Sequence, residues 1–348
     1  MELTNNDRRD LYQFSLYRSS SFTYDSLVIE NTNRCTAKCA ICYQAAGGDS
    51  NKDRLDANVA KKCIRDAAKL DCIGKRFHLA GGESFIYMDD CRELFSCAKK
   101  AGYKKISCTT NAFWCKNFDN AQRVCESMRK SGLDHMEISW DYWHYQFVSP
   151  EAINNCIRAC FENEITTNLR LLATKKHKMN EVMDLLDVDA VKLVDEISSS
   201  QVSAVGRAAT LLNEEDLYYA PGGLNATCDR SLCVSVNARG FVAPCCSGID
   251  QCDEYVNGNI YNESIVTIVK RMNEDPILRR LVFMGIKSFF PIFKECGINY
   301  QGKNTSPCKI CAHVFSKREN IEAIKDCIKR QNFENLKKLL ANIVGSNG

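Results

Sequence analysis

The chain has 348 residues, 46 basic against 43 acidic side chains, and 21 cysteines against six prolines. That length accommodates one large domain or two moderate ones, with a core that needs no disulfide staples. A formal charge of +3 excludes a dedicated nucleic-acid binder, which concentrates a basic excess on one face, and the basic run at 175–178 reads as a solvated loop. Residues 1–25 are polar and lack a secretory signal, and no segment approaches the apolar length of a membrane span. The expectation is a cytoplasmic protein with neither membrane nor nucleic acid as partner. In a reducing compartment a cysteine content of about 6% reads as metal ligands, catalytic thiols or core filler in place of bridges.

In chain order, apolar runs predict strands at 27–30, 77–80, 105–109, 136–140, 166–172 and 190–194. Between them, apolar residues at three- and four-residue spacing predict helices at 55–70, 91–101, 120–131, 150–163 and 180–186. Strands alternating with helices imply βαβ units, a parallel sheet and right-handed crossovers. Six such units predict a partial (β/α)6 TIM-like barrel, with its chemistry at the C-terminal strand ends. The pattern breaks near 221–223. A hairpin is then expected within 228–246, turning at 237–240, followed by helices near 264–272 and 276–284 and a basic amphipathic helix at 317–342. The expected organisation is an N-terminal extension (1–25), the partial barrel (26–215), a cysteine-rich module (216–315) and a C-terminal helix (316–348).

Directly after the first strand, Cys35, Cys39 and Cys42 form C-x-x-x-C-x-x-C. A closed zinc site needs four ligands, and no fourth cysteine or histidine lies nearby. Three thiolates can instead hold three irons of a 4Fe-4S cluster and leave the fourth iron open. This spacing, followed by Tyr43, resembles the signature of the radical S-adenosylmethionine (SAM) superfamily. The resemblance implies that the open iron chelates the methionine moiety of SAM and that an electron from the cluster cleaves SAM to a 5′-deoxyadenosyl radical. It also implies SAM-binding roles for Gly81, Gly82 and Glu83 at the second strand end, where Ser84 replaces the usual proline. Asn111 and Ser139 stand where the family places polar contacts to SAM. Arg170 is a candidate for the SAM carboxylate, because guanidinium binds carboxylate bidentately, or else an ordinary surface charge. The resemblance covers about residues 26–210.

Further on, Cys228 and Cys245 flank Gly240, and Cys308 and Cys311 form a C-x-x-C. This resembles the SPASM/twitch extension of radical SAM enzymes and implies one auxiliary 4Fe-4S cluster on these four thiols, in the shorter twitch form. Cys233 is an alternative to Cys228, and a four-cysteine zinc ribbon is a further reading. Neighbouring strand residues point to opposite faces, so Cys246 should turn away from the ligand Cys245. It reads as a hydrogen-atom donor or as a small buried hydrophobe. Cysteines 63, 72, 91, 97, 125, 156, 160 and 327 fall on helices without a partner set and read as packing.

The run Ile138-Ser-Trp-Asp-Tyr-Trp-His144, with Asn111-Ala-Phe-Trp114 and Pro244-Cys-Cys246, resembles motifs of the YydG-type peptide epimerases, although Ala112 replaces a glycine. The resemblance implies maturation of a ribosomally synthesised (RiPP) precursor peptide: Cα hydrogen abstraction, then hydrogen return from Cys246. Asp141 and His144 would lie near the substrate, and an external flavodoxin- or ferredoxin-type protein would donate electrons. Two alternatives stay open: peptide cross-linking through C–C or thioether bonds, and dehydrogenation of a small alcohol or aminoglycoside. With only 34 residues before Cys35, the expectation is either that the precursor binds along the barrel rim and the C-terminal module or that the substrate is not a leader-guided peptide.

Overall fold

The computed structural model describes residues 21–47, 53–218, 224–225, 227–228, 232–247, 249–300 and 306–345. The predicted break at 221–223 and most of the N-terminal extension lie outside them. The chain runs β1 (Leu27–Glu30), α1 (Ala57–Ala67), β2 (Arg76–Ala80), α2 (Met88–Lys100), β3 (Lys105–Thr110), α3 (Phe118–Ser131), β4 (His135–Ser139), α4 (Tyr142–Tyr145), α5 (Pro150–Glu162) and β5 (Thr166–Ala173). It continues through α6 (Asn180–Met183), α7 (Val188–Val191), β6 (Glu196–Gln201), α8 (Ala208–Leu211), β7 (Val234–Val236) and β8 (Val242–Ala243). Five helices close it: α9 (Ile265–Glu274), α10 (Pro276–Met284), α11 (Phe290–Glu295), α12 (Pro307–Val314) and α13 (Arg318–Gly345).

The eight strands make one unclosed sheet in the order β6-β5-β4-β3-β2-β1-β7-β8. Every pair from β1 to β6 is parallel, so the six βα units form the expected partial barrel. The strands alternate burial because one face meets the helices and the other the lumen. In β3, Ile106 and Cys108 are buried while Ser107 and Thr109 are half-buried. The lumen is polar: the His78 ring bonds Ser107 and Thr109 at 2.8 and 2.9 Å. The helices obey the sequence pattern. In α1 the buried positions are Ala60, Cys63, Ile64 and Ala67, and Asp56 caps the N-terminus by accepting from the backbone of Asn58 and Val59.

Two features differ from the sequence reading. Residues 190–194, expected as the sixth strand, fall at a one-turn helix capped by Asp187 and the turn after it; the strand is the polar Glu-Ile-Ser-Ser-Ser-Gln of β6. An edge strand exposed along nearly its whole length carries no apolar period to detect. The hairpin β7-β8, expected within a separate module, extends the barrel sheet: β7 pairs in parallel with β1, Leu27 opposite Val234. A second core, built on Ile277, Leu281, Phe289, Phe293, Phe315 and Ile324, lies under the C-terminal helices. α11 and α12 went unread, being short.

Cys108, Cys125, Cys156 and Cys160 are fully buried in the barrel core, and the Cys125 and Cys160 sulfurs meet at 3.8 Å. Cys156→Ala and Cys160→Ala should each cost roughly 1–2 kcal/mol, within the usual range for trimming a buried side chain. Iron content should not change; urea unfolding and iron assay of the same preparations check both halves.

Candidate active site at the mouth of the barrel

Residues 31–47 leave β1 and carry Cys35, Cys39 and Cys42 with little regular structure of their own. Neighbouring strand ends hold them in place. Gly82 N donates to Thr32 O at 2.6 Å and Glu83 N to Arg34 O at 2.8 Å. A Cβ on Gly82 would lie 2.3 Å from Arg34 O, so only glycine lets the second strand end approach so closely. From beyond β6, Arg207 donates its backbone N–H to Cys42 O and its Nε to Cys39 O, both at 3.0 Å. Gly206, at φ +58°, would place a Cβ 2.1 Å from Tyr43 O. The sequence reading missed Gly206 and Arg207, since neither belongs to a spaced motif. Cys39 is buried with Ala37, Ile41, Trp143, Val202, Ala204, Ala208 and Leu217, and Cys35 and Cys42 pack against the same cluster.

The other expected site residues ring this loop. Glu83 is fully buried, and its carboxylate accepts from Thr110 Oγ1 (2.9 Å), Asn111 N (2.7 Å) and Phe85 N (3.1 Å). Burial pushes it up to about 7 against the pull of these hydrogen bonds. Its oxygens thus fix the third strand end. Asn111 Nδ2 donates to Thr36 Oγ1 at 3.1 Å, tying that strand end to the cysteine loop. Ala112, where the motif expects glycine, is buried at φ +61°, the left-handed region that glycine occupies more easily. Ser139 stands opposite Arg170 in the β4-β5 register, and the Arg170 guanidinium pairs with Glu137 at 3.2 Å. Asp141 Oδ1 accepts from Trp143 N, His144 N and His144 Nδ1 at 3.0, 3.1 and 2.9 Å. Burial opposes protonation of His144, but the Asp141 charge and hydrogen bonds to Asp141 and Cys39 outweigh it and hold the ring well above its ordinary value. Tyr43 donates its hydroxyl to Glu30 Oε1 at 2.9 Å. Glu30, 1% exposed at the end of β1, is an unread member of the site, hidden inside an apolar run. Burial first, then the neighbouring Asp250 charge, pushes its carboxyl up to about 8.

In the second thiol set, burial first and then the charges of Cys228, Cys308 and Cys245 push the buried Cys311 thiol up, and Cys228 and Cys245 pack against the C-terminal core. A hydrogen bond with Cys246 comes first, then burial and the charges of Cys246 and Cys245, in pushing the Cys233 thiol well above the ordinary range. The Cys246 charge raises the Glu30 carboxyl and the Tyr43 hydroxyl, and the Arg170 charge lowers the Cys246 thiol. The Cys233 bond draws Cys246 below the ordinary thiol range, against burial and the Asp250 charge.

Among the described residues no three His, Cys, Asp or Glu side chains close around a single ion. The first three thiols instead share one loop and one apolar pocket, and a cubane, which takes one thiolate per iron, suits that arrangement. Burial and then the Glu83 carboxylate push Cys35 up to about 12, so metal binding there must displace a proton. Both polar atoms of the Asn31 side chain and Asp141 Oδ2 are buried without a hydrogen-bond partner, leaving polar groups at the mouth for a polar cofactor. A cavity of about 750 Å³ adjoins Cys35, lined by Arg34, Thr36, Lys38, Phe85 and Phe113 among others. The residues therefore fit an iron-sulfur cluster with a polar ligand beside it.

A partial barrel with a three-thiol loop on its first strand end defines a cluster-dependent α/β enzyme. Residues 29–188 match the family model described as the Radical SAM superfamily. The chain is 24% identical over 312 residues to the putative peptide biosynthesis protein YydG of Bacillus subtilis (strain 168), covering 88% of this chain and 96% of that protein. Among solved structures it resembles native anSMEcpe with bound AdoMet and Cp18Cys peptide, at 13% identity, 90% of this chain, 99% of that chain and a TM-score of 0.53. Native anSMEcpe with bound AdoMet is similar at 15% identity, 89% of this chain, 99% of that chain and a TM-score of 0.51. At these identities the solved structures show a shared fold. Residues 29–188 thus make up a radical SAM domain, and the cofactors of that superfamily are a 4Fe-4S cluster and SAM. Cys35, Cys39 and Cys42 carry its signature spacing within the matched domain.

The bracing and the buried acids are each open to measurement. Gly82→Ala should destabilise the protein by about 1–3 kcal/mol, the range for overpacking, and lower iron retention, measured by urea unfolding and iron assay. Glu83 and Glu30 have folded pKa values raised above the usual carboxylate range. Folding therefore favours their protonated forms, and their contribution, fully present below about pH 4.5, is lost as pH rises through 7–8. Melting temperature should fall between about pH 5 and 8.5, and Glu30→Gln should flatten the slope.

Proposed function

We propose that this protein is a peptide-modifying radical SAM enzyme that epimerises L-residues of a ribosomally made peptide. The relative's printed description concerns peptide biosynthesis, and one solved structure of the same fold carries a peptide. The observation that carries the reaction is the neighbourhood of Cys246: next to Cys245 in sequence, its thiol is near enough to Glu30, Tyr43 and Arg170 for their charges to act on one another. Cys228, Cys245, Cys308 and Cys311 would hold an auxiliary 4Fe-4S cluster in a twitch-type module.

When bound, the SAM-side cluster and SAM supply the carbon radical that removes the Cα hydrogen. The chain's residues do the rest. Gly81 and Gly82 give close backbone approach, while Glu83 and Asn111 fix the strand ends around the cofactor. Arg170, freed from Glu137, would meet the SAM carboxylate. The Cys246 S–H then gives its hydrogen atom to the opposite face of the Cα radical. The resulting thiyl needs one electron, from an external flavodoxin- or ferredoxin-type donor, and one proton to return to the thiol. Burial among carboxyls and thiols keeps water from quenching the intermediates.

The measurement is a turnover in D2O with purified holoenzyme, SAM, reductant and the synthetic peptide encoded by a short reading frame beside the gene. A gain of one dalton per event is expected, with a D-residue on hydrolysis; a loss of two daltons would instead establish cross-linking. Cys246→Ala should release deoxyadenosine while losing D-residue product at least 100-fold. Retention of normal epimerisation by that variant would remove Cys246 from the donor role.

A further inference from the structure

Two strands border the sheet, and they are built differently. At one border β8 is two residues long, and a short edge is an ordinary way of denying a foreign strand a template. At the other, β6 runs for six residues, Glu-Ile-Ser-Ser-Ser-Gln, exposed at every position but the half-buried Ser198. It carries none of the usual guards. There is no lysine or proline in it, and its pairing with β5 runs without a bulge from Glu196 opposite Asn168 to Gln201 opposite Ala173. In a parallel pair, alternate backbone groups of a strand point away from its neighbour. Among the described residues none outside β5 hydrogen-bonds to the backbone of 196–201, so the outward N–H and C=O groups form an open row roughly 20 Å long. The row leads to the site. Ser198 and Ser200 stand opposite Arg170 and Leu172 in the β5 register, and the chain leaving β6 reaches Arg207, whose backbone N–H and Nε donate to Cys42 O and Cys39 O at 3.0 Å.

We propose that the free edge of β6 is a docking strand for the substrate peptide: an extended segment of the peptide pairs with it main chain to main chain and is led along it to the mouth of the barrel. The inference rests on the reading of the substrate as a peptide and says how that peptide is held. Pairing of this kind takes its affinity from backbone hydrogen bonds and its selectivity from alternate side chains. Successive side chains of β6 point to opposite faces of the sheet. Ser198 and Ser200 therefore share one face and are too small to exclude a neighbouring side chain, while Ile197, 50% exposed, lies on the other. An apolar peptide residue beside Ile197 would cover it, which makes that position the selective one. A small molecule has no row of backbone groups to offer this edge. A substrate must also reach the cysteine loop to which the edge leads, as a second copy of the chain need not.

The test takes the reconstituted full-length protein with SAM, without reductant, and the synthetic peptide encoded by the short reading frame beside the gene, and reads amide hydrogen exchange by mass spectrometry. Saturating peptide should slow exchange at residues 196–201 by about tenfold or more. Peptide analogues N-methylated at one residue at a time should lose affinity with a period of two, by about tenfold wherever an N–H pairs with β6; contacts through side chains alone would not give that period. Ile197→Lys, which sets a guarding charge on the edge, should raise KM about tenfold and leave kcat and peptide-free deoxyadenosine release unchanged. The exchange and N-methyl measurements use the unaltered enzyme, so the decision does not hang on the folding of a variant. A peptide that turns over, by its mass change, while residues 196–201 exchange as freely as before overturns the docking strand and leaves the peptide reading standing. Protection of 196–201 that precedes peptide and grows with protein concentration assigns the edge to a second copy and likewise overturns it. A peptide neither bound nor modified removes the peptide reading and this inference together.

Discussion

The site depends on backbone hydrogen bonds that reach the cysteine loop from other segments. Residues 31–47 have almost no internal ladder, so their shape is set by donors on Gly82, Glu83 and Arg207 and by Leu55 N, which donates to Asn31 O. A loop that presents three thiolates to one cluster must fix their relative positions before metal arrives, or the ordering entropy falls on binding. The second strand end and the segment after β6 grip this loop from two sides. They lie far apart in sequence, which couples the loop to closure of the sheet between β1 and β6.

That dependence explains the distribution of polar groups. Buried carboxylates are costly unless bonded, and each here has a task. Glu83 gathers the third strand end, Asp141 anchors the His144 ring, and Glu30 receives the Tyr43 hydroxyl. Because β7 pairs directly with β1, the hairpin that bears Cys245 and Cys246 is fixed to the same strand that launches the first cysteine loop. Cys245 and the first cysteine loop are therefore both referred to β1. On the proposed reaction, radical generation and hydrogen return need that fixed separation, since donor and abstractor must face opposite sides of one carbon.

The fold was largely legible because its evidence is local. Alternating apolar runs and helical periods report burial on a sheet face or helix stripe, and five of the six barrel strands lie where that pattern places them. The sixth did not announce itself. β6 borders the open side of the barrel, so its residues are exposed and polar, and the nearby apolar run 190–194 drew the expectation instead. In the site, Cys35, Cys39 and Cys42 were readable from spacing alone, because ligands on one short loop leave a fixed interval. Glu30, Gly206 and Arg207 were not, since each acts on a partner distant in sequence and none carries an interval of its own.

The sequence by itself thus determined the radical SAM domain, the barrel strands and the spacing of Cys35, Cys39 and Cys42, all of which follow from short-range order. Tertiary structure alone decided what those parts do to one another. It tied Arg170 to Glu137, bound the His144 ring to Asp141, and paired β7 in parallel with β1. The physical reason is that hydrogen bonds and charge interactions of this kind depend on where side chains meet after the sheet has closed, and a chain read in order contains no record of those meetings.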